Sequence, residues 1–195
     1  PEDRRILLTR CRAWVVYQGY SQEVKLDYLE QFGYDARGGT WWRYRMLTGQ
    51  GEHIVLQVRA RMARNRPNGT ALQFERMERR RRAAEPAELD DAASVTLIVR
   101  PDIEDRNFHH CTQAFAGPET EYPAAVHPLP HGNGFRFAPE TDHSLLVEAS
   151  DSCFHVAPEW HYMVHRPMEA ERGLDPDSDL FSPGYFTCPL NGGQR

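Results

Sequence analysis

Residues His53 to Met62 alternate without a break: Ile54, Leu56, Val58, Ala60 and Met62 interleave with His53, Val55, Gln57, Arg59 and Arg61. A period of two sends one set of side chains to each side of an extended backbone, whereas a helix needs a period near 3.6. The segment is therefore expected to be a half-buried strand. Thr40 to Leu47 (TWWRYRML) reads as its partner, joined through the tight connection Thr48 to Gly51, with Gly38-Gly39 as the turn before it. Neighbouring strand residues face opposite sides, so Trp41 and Trp42 cannot both be buried on one face. One of them is expected to be exposed or covered by a neighbouring domain.

Other segments follow the same logic. Ala93 to Arg100 (ASVTLIVR) has the continuous β-branched character of a strand buried on both faces. Phe135 to Phe137 and Leu145 to Ala149 are expected as short strands, spaced by Gly132-Asn133-Gly134 and by residues 139–142, and Asn65 to Gly69 as a turn. Ile6 to Tyr20 is ambiguous, Val24 to Phe32 reads as a short helix or an irregular strand, and residues 78–90 as a short helix or a long loop. Pro, Gly and Asp are dense between Trp160 and Phe186, which predicts an ordered connecting segment, with a type II turn at Pro183-Gly184 before a last strand, Tyr185 to Leu190. The pattern predicts a mainly β chain: one antiparallel β-sandwich over residues 1–195, with long loops and at most a few short helices.

A net charge of −5 argues against a general nucleic-acid binder, since no global positive field attracts phosphates. The arginine run at 79–82 is interleaved with Glu75, Glu78, Glu85 and Glu88 and reads as a solvated loop. No apolar run approaches the roughly 20 residues that span a bilayer, so no membrane partner is expected. Cys11, Cys111, Cys153 and Cys188 are widely spaced, which excludes a Cys-x-x-Cys motif and suits a reducing cytoplasm. The second half is rich in histidine, but His109-His110 and His127/His131 do not have metal-site spacing, and no cofactor is expected. Arg106 with His109 or His110 reads as a hydrogen-bonded turn. The chain begins at Pro1 rather than Met, as expected of an excised domain or a trimmed polypeptide.

Three blocks carry a resemblance to the N-terminal domain of prokaryotic-type glycogen debranching enzymes, the amylo-α-1,6-glucosidase family. The first is Tyr28 to Phe32 followed by Trp41 or Trp42, Tyr44 and Arg45-Met46; the second is Val95 to His110 (VTLIVRPDIEDRNFHH). The third is Trp160 to Phe186, whose Arg172-Gly173-Leu174-Asp175 run and Pro183-Gly184-x-Phe ending are similar to the family's in the same order. Two features depart from it: the family's early Gly-rich stretch is missing, and Ser178-Asp179 stands where a Glu-Asp pair is usual. The resemblance implies a supersandwich-like domain, excised from the N-terminal part of a longer chain, that precedes a catalytic (α/α)6 barrel, its partner in the parent enzyme.

Hydrolysis of an α-1,6 bond needs two carboxyl groups, held roughly 6.5–9.5 Å apart in an inverting enzyme. Glu169, Glu171, Asp175, Asp177 and Asp179 supply carboxylates, but the resemblance assigns catalysis to the barrel, so no catalytic residue is expected here. Two readings of the closing segment stay open. In the architectural one, Arg172 pairs with nearby acids and Gly173 supplies a conformation closed to other residues. In the other, Trp160 and Tyr162 with Arg172, Asp175 and Asp179, or a surface around Trp42, contact an α-glucan or maltooligosaccharide, or a neighbouring domain. A stand-alone carbohydrate-binding module and a small enzyme with histidine-bound metal are the alternative functions.

Overall fold

The computed structural model describes residues 4–36, 38–64, 66–79, 87–107 and 110–193. Twelve named strands and two short helices follow in the order β1 (Arg5–Tyr17), β2 (Tyr20–Glu23), β3 (Leu29–Tyr34), β4 (Thr40–Leu47), β5 (His53–Met62), β6 (Thr70–Arg76), β7 (Thr96–Asn107), α1 (Pro118–Ala125), β8 (Val126–Pro128), β9 (Gly134–Phe137), β10 (Leu145–Glu148), β11 (Cys153–His165), α2 (Pro167–Glu171) and β12 (Asp177–Pro189). The named strands form three sheets, ordered β11-β12-β7-β1-β2, β10-β9-β8 and β3-β4-β5-β6. The chain is thus mainly β and antiparallel, as its alternation requires.

It divides into two compact units: residues 1–12 with 98–188, and residues 13–97 with 189–195. In the first unit, two sheets bury their inner faces on each other. Ile103 of β7, Phe135 and Phe137 of β9, Phe154 of β11, and Phe181 and Phe186 of β12 make the core, with Tyr122 of α1. Leu7, Val126, Leu145 and Val147 pack around it. Phe154 lies 5.0 Å from both Phe135 and Phe186 between ring centroids, a spacing at which aromatic pairs add to plain burial.

The second unit is built on the four-stranded sheet. Its register places Met46 opposite Ile54, Tyr44 opposite Leu56 and Trp42 opposite Val58. Met46, Ile54 and Leu56 are buried, as are Val15, Leu89, Val95, Leu97 and Leu190 of the same unit. Trp41 and Trp42 face opposite sides of this sheet, both half-buried: Trp42 meets Phe32, and Trp41 lies beside the Arg43 guanidinium, 4.9 Å from its ring centroid.

Three segments differ from the sequence expectation or resolve it. The ambiguous Ile6 to Tyr20 stretch is the long strand β1, and Val24 to Phe32 becomes a 3-10 turn at Leu26–Tyr28 leading into β3. The strand expected to close at Arg100 instead runs from Thr96 to Asn107, because its buried charged residues Asp102 and Glu104 find arginine partners. The closing segment is not mainly connection: most of it belongs to β11 and β12, joined by α2. Pro183-Gly184 therefore sits inside a strand and not at a turn before one. The register jumps from Val156↔Gly184 to Glu159↔Ser182, so Ala157 and Pro158 oppose Pro183 in a bulge, where a strand tolerates proline. A Cβ on Gly184 would strike the His155 carbonyl, so the two strands approach closely only because that side chain is missing.

Candidate functional site

Trp160 and Tyr162 stand two residues apart on β11 and project to the same side. Their rings stack at 6.3 Å and 17°, and Trp160 stacks in turn on Tyr122 at 5.7 Å and 23°. Phe181 backs Trp160 at 5.1 Å. Tyr122 anchors the buried end: its hydroxyl accepts the Asp105 N–H (2.8 Å) and donates to the Asp105 carbonyl (3.1 Å). Burial raises the Tyr122 phenol above its ordinary pKa. At the outer end Tyr162 is 56% exposed and donates to Glu119 Oε1 at 2.8 Å. That bond raises its pKa as well. The three rings form a ladder running from core to solvent.

Asp179 holds the ladder's outer rung in place. Pairing shifts from His161↔Leu180 to Val164↔Ser178, so Tyr162 and Met163 bulge out opposite Asp179. Met163 takes φ 55°, in the left-handed region, a conformation costing a non-glycine residue on the order of 1–3 kcal/mol. The buried Asp179 carboxylate compensates by accepting the Met163 N–H at 2.9 Å and the Ala114 N–H at 2.8 Å, while the Asp179 N–H donates to the Thr112 carbonyl. Such charge-assisted bonds are about twice as strong as neutral ones. Tyr162, Met163 and Phe115 are left exposed around this clamp.

The remaining expected residues are dispersed. Arg172 pairs with Glu169 (3.6 Å) on the surface and not with Asp175 or Asp179, because α2 turns its side chain back along the helix. Gly173 takes φ 72° after α2. Asp175 accepts the Asp177 N–H at 3.2 Å, and its carbonyl accepts the Cys111 thiol. Arg106 donates to the His110 carbonyl at 2.8 Å, whereas His109 lies outside the described residues. Trp42 belongs to the other unit. Among the described residues, no group of three or more His, Cys, Asp or Glu is placed to hold a metal ion.

A buried ionic row was missed by reading the sequence. Asp102 and Glu104 of β7 are both 0% exposed. Arg12 grips Asp102 with two bonds (2.8 and 2.9 Å) and Arg10 adds a third. Glu104 meets Arg106 (2.9 Å), Arg166 (2.7 Å) and the hydroxyls of Thr9, Thr112 and Ser178. The signal was present as period-two charge: Arg10-x-Arg12 on one strand and Asp102-x-Glu104-x-Arg106 on another. Burial, and then the nearby Arg12, also push the His161 imidazole below its ordinary pKa.

A family model described as glycogen debranching enzyme N terminal matches residues 1–195. The chain belongs to this family. No curated protein and no solved structure matches it. The three sequence blocks that resembled the glycogen debranching enzyme N-terminal domain fall on β3–β4, on β7 and on β11–α2–β12. The last two supply Asp102, Glu104, Arg106 and Arg166 of the ionic row, Trp160 and Tyr162 of the aromatic ladder, and Asp179 of its clamp. Among the described residues, no helix is long and apolar enough to cross a membrane.

Proposed function

We propose that this chain is the noncatalytic N-terminal domain of a longer glycogen debranching enzyme. It supports a catalytic (α/α)6 barrel and presents the Tyr162 end of its aromatic ladder to α-glucan chains. The parent enzyme would hydrolyse α-1,6 branch points in the cytoplasm, a compartment that suits four unbridged cysteines. The observation that carries the noncatalytic reading is the Asp179 clamp. A carboxylate occupied by two backbone N–H groups serves architecture, since a general acid must instead face the leaving oxygen. Asp175 and Asp177 are likewise committed, to a backbone N–H and to His165.

The aromatic ladder supports glucan contact by its chemistry. An exposed tyrosine ring offers an apolar face to the C–H side of a pyranose, and a neighbouring carboxylate accepts from sugar hydroxyls. The test is direct. Purified residues 1–195 should release no glucose from a limit dextrin, and release would overturn the noncatalytic role. Titration calorimetry with maltoheptaose should show weak binding that Tyr162→Ala reduces by about fivefold or more, the loss of one ring contact. Equal binding by the variant would remove the ladder from the glucan reading.

A further inference from the structure

The ionic row of the first unit reaches solvent at one end, and its charges do not balance. On β12, Ser178, Leu180 and Ser182 alternate onto one side, with β7 alongside. Ser178 donates to Glu104 at 3.2 Å and Arg100 donates to Ser182 at 2.9 Å, so Asp102 falls beside Leu180. The register then sets His161 of β11 opposite Leu180, and Glu159 opposite Ser182. Ile103, Phe181 and Trp160, one residue along each strand, join the aromatic core, so the row occupies the other side of the sheet. Arg10 and Arg12 reach Asp102 from β1.

Each carboxylate of the row meets two nitrogen bases. Asp102 meets Arg10 and Arg12, Glu104 meets Arg106 and Arg166, and Glu159 meets Arg100 and His161. The depressed pKa of His161 leaves its ring neutral at pH 7. Among the described residues, these pairs set five arginines against three carboxylates, an excess of two positive charges. The excess is reachable at one end: the side chains of Arg106 and Arg166 are 9% and 16% exposed, but those of Arg10 and His161 are 37% and 28%. Arg10 spends only its Nε on Asp102, so among the described residues both of its terminal NH2 groups are open. His161 Nε2 lies 3.1 Å from Glu159 but out of line for a hydrogen bond, and this buried nitrogen also lacks an acceptor.

We propose that a phosphate-class dianion, either free phosphate or the phosphate monoester of a sugar, binds at this open end against Arg10. The two open NH2 groups form a planar fork that fits two oxygens of a phosphate. A monoester carries about −1.5 to −2 charge at pH 7, which matches the excess. Arg12 and Arg100 are each 15% exposed, so water screens their attraction only weakly. Glu159 opposes the ligand, but Arg100 holds that carboxylate at 2.8 Å. This site is separate from the Tyr162 surface and does not rest on the glucan reading.

His161 reports occupancy, because an anion beside the ring favours its protonated form. The charges acting on it are Arg10 and Arg12 from β1, Asp102 from β7 and Glu159 of its own strand. Residues 1–195 would be titrated by NMR in phosphate, glucose 6-phosphate, glucose and chloride at one ionic strength. Phosphate or glucose 6-phosphate should raise the midpoint of the His161 titration above its value in chloride, and the larger rise names the source. No rise with either overturns the proposal. An equal rise with glucose does so too, since glucose lacks the charge.

Arg10→Gln leaves Asp102 both of its Arg12 bonds, so the fold should persist. Without phosphate its His161 midpoint should itself move up, since Arg10 depresses it. Calorimetry should show phosphate binding about tenfold or more weaker in this variant, the loss of charge-assisted bonds. Arg10→Lys should restore part of that affinity, keeping the charge without the fork. Undiminished binding by Arg10→Gln would take the anion away from this row and sink the proposal.

Discussion

Each unit encloses charged side chains, and Glu104 of one and Arg76 of the other are neutralised by different means. Glu104, 0% exposed, is met by the full charges of Arg106 and Arg166 as well as three hydroxyls. Arg76, 1% exposed, is met by backbone carbonyls: Asp90 at 2.6 Å, Ala93 at 2.8 Å, Leu89 at 3.2 Å and Leu190 at 3.4 Å. Burial pulls the Arg76 pKa below the ordinary arginine value, with nearby Asp91 and Asp90 opposing. The difference lies in what each ion leaves behind. Without Glu104, two arginines face each other with their shared counter-ion gone. Without Arg76, the orphans are neutral carbonyls, which water satisfies at lower cost.

The largest effect is therefore expected for Glu104→Ala, a loss of about 4 kcal/mol in urea denaturation. Arg76→Met should cost less, about 3 kcal/mol, because the methionine refills part of the volume while several carbonyls lose donors. Arg76→Lys should recover about 1 kcal/mol of that loss, since one ammonium cannot reach all four acceptors. If Arg76→Met proves more damaging than Glu104→Ala, the contrast between counter-ion and dipole fails.

A smaller effect tests a less enclosed ion pair. His143 places Nε2 3.0 Å from Asp105 and Nδ1 2.6 Å from Asp142. Burial works against its protonation, but the bonds to the two carboxylates outweigh it and raise the pKa. The folded state thus holds this proton more tightly than the unfolded one. Its stabilisation is complete below the unfolded histidine value near ~6.5 and fades as pH rises through the folded value. The melting-temperature deficit of His143→Gln should accordingly be larger at pH 5.5 than at pH 8.5, and an equal deficit at both would count against the pairing. Smallest of all, Tyr162→Phe removes one exposed bond to Glu119 and should change stability by less than ~0.5 kcal/mol in the same urea experiment.

The sequence revealed most where one residue's neighbours are its own chain neighbours. His53 to Met62 and Thr40 to Leu47 emerged as strands with the expected bounds, because alternation is a local property. β7 was longer than expected: Asp102 and Glu104 look like strand breakers until Arg10, Arg12 and Arg166, distant in sequence, neutralise them. The closing segment failed for a related reason. Its prolines and glycines signal turns one by one, yet Pro183, with Pro158 just before the segment, is absorbed in one bulge whose geometry exists only once β11 and β12 pair. Within the candidate site, the period-two placement of Trp160 and Tyr162 was readable. Tyr122 and the Asp179 bonds to Ala114 and Met163 were not, since each joins segments more than a dozen residues apart.

β11 is an outermost strand of its sheet, and its irregularities bear on how the protein behaves in a crowded cell. A straight outer strand is a template on which a foreign chain can add itself and start a fibril. Pro158 lacks the N–H such an intruder needs, and two register jumps within 13 residues twist the edge so that no long match is available. The bulge that displays Tyr162 therefore also acts as a guard against polymerisation.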